Sequence, residues 1–305
     1  MKGDVQQMET IHIEHPNEIP AIAGSAPCVL ALGFFDGVHI GHRGILEAAK
    51  AAARSKGYQF NVMTFYPHPK DILFPSQEPM TYLTPLPLKE ERFQELGVDR
   101  LFIVKFTPDF AQLSPEAFIE RYILALHSKH VVAGFDYHYG HKGKGNMETL
   151  TRAGTGKFEV TTIQKIEQKE EKISSTAIRE LLAAGKVDKV PSLLGCSYET
   201  RGRVQKNSLF YKNHQFIKVD IDKEYRLPKL GIYRVEAEIE GRVYKGICHQ
   251  MSVAGCQPSL LVQLKECFAD TYAKQVNIKW LKYTAGKQNE TTEVSEYIHK
   301  EELVI

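Results

Sequence analysis

Two histidines flanking a glycine, His39 and His42 around Gly41, are the residues of this chain best suited by type and spacing to grip a phosphate. They close the run Gly33-Phe34-Phe35-Asp36-Gly37-Val38-His39-Ile40-Gly41-His42, which follows an apolar segment, Val29 to Leu32, and leads into an amphipathic stretch, Arg43 to Arg54. The order reads as strand, turn and helix. With a helix opening near Gly41, both imidazoles sit on its first turn, where unpaired backbone N–H groups and the macrodipole favour an anion. Gly33 and Gly37 permit the tight or left-handed backbone that such a turn needs, and Gly41 lets a phosphate oxygen approach the main chain. The carboxyl end of a strand is also where open α/β sheets bind ligands. Together these residues predict a nucleotide site.

A second cluster lies far along the chain, at Ile173-Ser174-Ser175-Thr176-Ala177-Ile178-Arg179. Ile178, Leu181 and Leu182 share one helical face, and Gly185 supplies a C-terminal stop. Capping a helix needs one hydroxyl. The other hydroxyls and Arg179 are better explained as an anion cradle, because a guanidinium presents a fork of donors to phosphate oxygens.

The elements that must position these residues alternate between short apolar runs and amphipathic stretches, the pattern of parallel strands joined by crossover helices. Strands are predicted at Thr10 to Ile13, Cys28 to Leu32, Gln59 to Phe65, Leu101 to Phe106, His130 to Gly134 and Phe158 to Ile163. Helices are predicted at His42 to Ser55, Leu88 to Leu96, Pro115 to Leu126 and Asn146 to Arg152, with Ser114-Pro115-Glu116 as a capped start. This half, residues 1–187, is expected to be a Rossmann-like α/β domain with a parallel sheet. After Pro191 the texture turns to strands, at Tyr198 to Val204, Gln215 to Ile221, Gly231 to Ile239, Arg242 to Cys248, Leu260 to Leu264 and Gln275 to Tyr283. Residues 188–305 are expected to form a smaller, predominantly β barrel, with a hairpin turn at Glu240-Gly241 and a last helix at Val294 to Leu303.

With its turn and helix in place, His39-Ile40-Gly41-His42 resembles the H-x-G-H motif of the nucleotidylyltransferase superfamily. Within it, Phe35 to His42 resembles the form found in prokaryotic FAD synthetases, the bifunctional riboflavin kinase/FMN adenylyltransferases. Ile173 to Arg179 resembles the I-S-S-T-x-I-R segment of the same enzymes, Thr64-Phe65-Tyr66-Pro67-His68-Pro69 their T-F-x-P-H-P, and Val131 to Gly140 their V-V-G-x-D-F-x-F-G turn, with tyrosines at 137 and 139.

The resemblance implies transfer of AMP from MgATP to FMN, giving FAD and pyrophosphate. It implies His39, His42 and Arg179 as catalytic groups, with Gly33, Phe34, Phe35, Asp36, Gly37, Gly41, Ser174, Ser175 and Thr176 around ATP. Pro67, His68, Pro69, Asp136 and Tyr139 would border flavin or nucleotide. ATP and FMN are the expected partners, Mg²⁺ arrives with ATP, and no resident metal site is expected. Magnesium keeps its waters and takes few protein ligands, so an acidic cage is not required.

The barrel also resembles its counterpart, the riboflavin kinase domain, in Leu193-Leu194-Gly195, Gly202-Arg203-Val204, Leu227-Pro228 and Gly231-Ile232-Tyr233. Its chemistry-bearing residues do not match. Where the kinase has G-F-P-T-A-N, counting from Gly202 places Phe216-Ile217-Lys218-Val219-Asp220, so Lys218 and Asp220 stand for the threonine and asparagine. Leu261 stands where the kinase has its glutamate base. Kinase activity is therefore expected to be lost. A bifunctional enzyme with a relocated kinase site is the alternative, as is a flavin- or RNA-binding regulatory barrel using Arg201, Arg203, Lys206 and Lys212.

Composition bounds these readings. A chain of 305 residues, 43% hydrophobic and 25% charged, exceeds one typical globular domain, and a net charge of +2 argues neither for nor against a polyanionic partner. Five cysteines without a C-x-x-C predict reduced, mostly buried thiols. His138 and His141 are expected to be simple loop residues. The run Met1 to Glu14 lacks an apolar core, and no segment approaches about 18 uninterrupted apolar residues. A cytoplasmic protein is expected, with no membrane and no nucleic-acid role.

Overall fold

The protein is described from a computed structural model, over residues 7–17, 26–76, 79–164, 167–168, 171–205, 209–211, 214–251, 259–265 and 271–284. It divides into two compact units, Met1–Ser175 and Thr176–Ile305. The first contains β1 (Glu9–Glu14), β2 (Cys28–Leu32), α1 (Ile40–Lys56), β3 (Gln59–Tyr66), α2 (Pro69–Leu73), α3 (Leu86–Glu95) and β4 (Arg100–Lys105). There follow α4 (Pro108–Ala111), α5 (Pro115–Phe118), β5 (Ser128–Gly134), α6 (Met147–Gly154), β6 (Glu159–Ile163) and the two-residue strands β7 (Glu167–Gln168) and β8 (Glu171–Lys172).

Strands β1 to β6 form a parallel sheet in the order β1-β4-β3-β2-β5-β6. Every residue of β2 is buried because both faces of the sheet are covered. Cys28, Leu30 and Leu32 enter one core layer with Phe102, Val104, Val131 and Ala133. Val29 and Ala31 enter the other with Leu101, Ile103 and Val132. The chain leaves β2 toward β3 on one side and later places β5 on the other, so the order reverses at β2. The carboxyl ends of β2 and β5 therefore flank a crevice.

Helix α1 begins two residues before the expected start because His39 caps it, and it ends at Gly57, whose φ of 65° suits a left-handed cap. The single helix expected from Pro115 to Leu126 is instead α5 followed by a π-helical turn, Ile119–Leu124, in which Ala125 N–H donates to Glu120 O at 3.2 Å. Helices α2 and α4, of five and four residues, were not expected, being too short to show a period.

The second unit opens with α7 (Ser175–Ala183), whose first residue belongs to the first unit, and α8 (Pro191–Leu194). Its strands are β9 (Tyr198–Val204), β10 (Leu209–Tyr211), β11 (His214–Ile221), β12 (Gly231–Ile239), β13 (Arg242–Met251), β14 (Ser259–Lys265) and β15 (Gln275–Thr284). Six close into an antiparallel barrel, β11-β14-β13-β12-β15-β9, with β9 returning to β11. Closure passes through Gly202, where a Cβ would stand 2.2 Å from the Asp220 carbonyl oxygen. Alternate residues Tyr233, Val235, Ala237 and Ile239 point inward, and the buried Trp280 donates its indole N–H to Thr200 Oγ1 at 3.0 Å. Helix α7 is tied to this barrel at its far end: Lys229 N–H donates to Leu182 O at 2.8 Å, and Gly185 lies against Tyr233 and Tyr283.

Val294 to Leu303, Lys206, Lys212, Cys256 and Cys267 lie outside the described residues. Cys28 and Cys248 are buried free thiols. No helix among the described residues is long and apolar enough to cross a membrane.

Candidate active site

The turn after β2 is built to present two imidazoles. Phe35, Gly37 and Val38 all carry positive φ, at 55°, 91° and 44°, and left-handed backbone is one that a β-branched residue such as Val38 avoids unless its surroundings enforce it. Enforcement comes from three sides. Thr64 Oγ1 on β3 donates to Phe34 O at 2.9 Å. The Asp36 carboxylate, 3% exposed, accepts from Leu83 N–H at 2.9 Å and Thr84 N–H at 3.1 Å. Phe35 folds its ring under Gly33, where a Cβ would be 2.7 Å from the ring, and meets His42 edge-on at 5.3 Å.

His39 has extended backbone and caps α1, its Nδ1 accepting the His42 N–H at 3.2 Å. That bond fixes the neutral ring as the Nε2–H tautomer. The His42 ring stacks on it, with centroids 3.6 Å apart and planes 15° from parallel. Burial pushes His39 down to about 4, against a pull upward from Asp36, and holds His42 well below the ordinary histidine value, with the charges of His39 and Lys89 adding to the effect. Both rings are neutral at pH 7. His42 Nδ1 is buried with no hydrogen-bond partner among the described residues. Gly41 makes room for the His39 ring, which would lie 3.2 Å from a Cβ there.

Between the carboxyl ends of β2 and β5 lies a cavity of about 730 Å³. Such a volume accommodates a small-molecule ligand. Gly33, Phe34, Phe35 and His42 border it from the turn and α1, Pro69 from α2, and Asp136 and Tyr139 from the loop after β5. Pro67 and His68 form the corner before α2. His68 caps that helix through Nδ1, which accepts the Lys70 N–H at 3.0 Å, and its ring meets Phe34 edge-on at 4.3 Å. Tyr139 is buried, its hydroxyl 3.2 Å from Thr149 Oγ1. His138 and His141 are loop residues at the same cavity, with His138 Nδ1 2.9 Å from the Asp136 carbonyl oxygen.

Of the second cluster, Ser174 and Ser175 belong to the first unit. Ser175 Oγ donates to Asp36 O at 2.8 Å, so the start of α7 is bonded to the histidine turn. Thr176 and Arg179 follow on the same helix in the second unit, with Thr176 exposed and Ile178 fully buried.

The sequence reading missed the pair Leu73 and Phe74, which line the cavity while 50% and 74% exposed. Two large apolar residues in a polar stretch directly after a proline corner are the signal that could have found them.

In the barrel, Lys218 and Leu261 are direct cross-strand partners on β11 and β14. Arg201 is 18% exposed and lies 3.7 Å from Glu199, which removes it from any free basic patch.

Residues 22–177 match the family model described as FAD synthetase. The chain is 38% identical over 282 residues to a bifunctional riboflavin kinase/FMN adenylyltransferase of Listeria monocytogenes, covering 90% of each chain. It is 38% identical over 304 residues to the protein of the same name in Bacillus subtilis, covering 96% of each. A crystal structure of a protein from Streptococcus pneumoniae, described as a macrolide-efflux protein, superposes with a TM-score of 0.79 at 29% identity, over 91% of this chain and 100% of that one.

Proposed function

The chain belongs to the FAD synthetase family and is an FMN adenylyltransferase, and from that premise we propose how its residues divide the reaction and that its barrel no longer phosphorylates riboflavin. The family forms FAD from FMN and ATP with Mg²⁺. An FMN phosphate oxygen attacks the α-phosphorus of MgATP in line, the bond to the β-phosphate oxygen breaks, and pyrophosphate leaves with that electron pair. Proteins catalyse such transfers mainly by positioning and by stabilising the growing charge. No group of three or more His, Cys, Asp or Glu side chains that could hold a metal exists among the described residues, and Mg²⁺ enters as part of the substrate MgATP.

His39 and His42 act on the phosphates as neutral N–H donors, not as nucleophiles. The observation that carries this assignment is the stacked, uncharged imidazole pair, of which His42 borders the β2–β5 cavity while His39 is buried behind it at the helix cap. The left-handed turn, Gly33 to Gly37, and Gly41 shape the ATP side. Ser174, Ser175, Thr176 and, one turn on, Arg179 take the β- and γ-phosphates, an assignment that rests on the motif. The flavin side is Pro67, His68, Pro69, Asp136 and Tyr139. The adenylyltransferase machinery accordingly runs through residue 187, including a helix that packs with the barrel, and the kinase-derived domain is residues 188–305.

Loss of the kinase is supported by the pairing of Lys218 with Leu261. An ammonium stands at the position of the metal-binding threonine and repels Mg²⁺, while the residue opposite it cannot accept a proton. No nucleic-acid role is proposed. The use of ATP supports a cytoplasmic location.

The test is one product assay with purified protein and MgATP. FMN is expected to give FAD and pyrophosphate, and riboflavin is expected to give neither FMN nor FAD. Failure of the first reaction with folded protein overturns the residue assignments, and FMN from riboflavin overturns the loss of the kinase.

A further inference from the structure

Lys89, the fourth residue of α3, is 2% exposed, and its ammonium is buried directly behind the histidine turn. Nζ donates to Phe34 O at 2.9 Å and lies 4.4 Å from the centroid of the Phe34 ring. Asp36 supplies the nearest negative charge, yet desolvation prevails and the lysine is lowered to about 8.

Such burial of a charge is unfavourable. Phe34 O already accepts from Thr64 Oγ1, and so it would stay satisfied without the lysine. An unbranched apolar side chain of similar length would fill the space and remove the penalty of burying a charge. The Asp36 carboxylate, for its part, also accepts from two backbone N–H groups. The charge has a use only when more negative charge arrives than the resting site contains. The reaction brings it, as a triphosphate and a phosphate monoester beside two uncharged imidazoles.

We propose that Lys89 is a positioning residue for adenylyl transfer, holding the Phe34 carbonyl and supplying, from behind His42, the fixed positive charge that balances the polyphosphate. This rests on the adenylyltransferase reading of the site. Lys89 acts through the turn and through the field at His42, and it leaves the substrate-facing edge of the imidazoles free. The titratable groups facing it are Asp36 in the turn and His42 in α1. His68 and Tyr82 reach it through the Phe34 ring that they flank.

The experiment compares wild type, Lys89→Met and Lys89→Arg in the full chain, measuring kcat and KM for ATP and FMN and kcat/KM across the alkaline range. Wild-type FAD formation is established first, so that its absence counts against the proposed function and not against Lys89. Lys89→Met is expected to melt at or above the wild-type temperature and to lose kcat on the order of 100-fold, with KM for FMN little changed. Wild-type kcat/KM is expected to fall near pH 8 as the ammonium deprotonates, and Lys89→Arg, whose guanidinium stays charged, to lose that fall. A folded Lys89→Met with wild-type kcat overturns the proposal, as does an alkaline fall that persists unchanged in Lys89→Arg. Should neither variant fold, wild-type activity that stays level through the alkaline range overturns it.

Discussion

The imidazoles of His39 and His42 lie face to face, 3.6 Å between centroids, with the Nδ1 of the first accepting the backbone N–H of the second. A cap and a stack thus share one ring. Protonating His39 removes the lone pair that caps α1, and a second positive charge on the stacked neighbour is more unfavourable still.

The first expected outcome follows from the sign of that coupling. His39 in the folded protein sits at about 4, below its unfolded value of 6.5, so the unfolded chain binds more protons between the two. The stability is fully present above about pH 6.5 and is lost as pH falls toward 4, with His42 adding in the same direction. Asparagine caps helices well and does not titrate there. In thermal melts at about pH 7 and about pH 5, His39→Asn should therefore show a smaller drop in Tm than wild type, while its FAD formation falls on the order of 100-fold or more.

Replacing His42 by glutamine keeps a neutral polar side chain but removes the ring that Phe35 and His39 hold in place. Turnover should drop by about two to three orders of magnitude while the circular dichroism spectrum stays native. A steady-state assay of pyrophosphate release checks this.

Asp36 works through its carboxylate on Leu83 and Thr84 and through its carbonyl on Ser175. Asp36→Ala strands two buried N–H groups and should destabilise the first unit by roughly 2 kcal/mol, read as a lower urea midpoint. Asp36→Asn, which retains an accepting oxygen, should lose about half as much or less.

Riboflavin with MgATP should yield no FMN from the wild-type chain, and none from Leu261→Glu either. The introduced carboxylate would still face Lys218 across the strand pair. Chromatography of the products checks both.

The longer strands were legible because each carries its period or its wholly apolar run: β2 matched residue for residue, and β12 did the same in the barrel, whereas β7, β8 and β10, of two or three residues, were too short to show one. The histidine turn was legible because an apolar run, a glycine-rich turn and an amphipathic stretch follow one another, and a histidine at the helix N-cap, the plainer reading of the same residues, is what His39 provides. Helix α2 and the π-helical turn after α5 were not readable, since five residues are too few for a helical period and the wider turn leaves the apolar spacing intact. Lys89 was hidden for a different reason. A lysine in the charged stretch Lys89-Glu90-Glu91-Arg92 reads as solvated surface, and tertiary packing alone takes it inside.

The bond from Lys229 to the Leu182 carbonyl, and the two tyrosines beside Gly185, mean that the helix carrying Arg179 has its footing in the barrel. A barrel can thus serve as masonry whatever chemistry it performs. Cutting the gene after residue 187 would remove that masonry and leave the far end of the helix without the carbonyl partner and the tyrosines that now hold it.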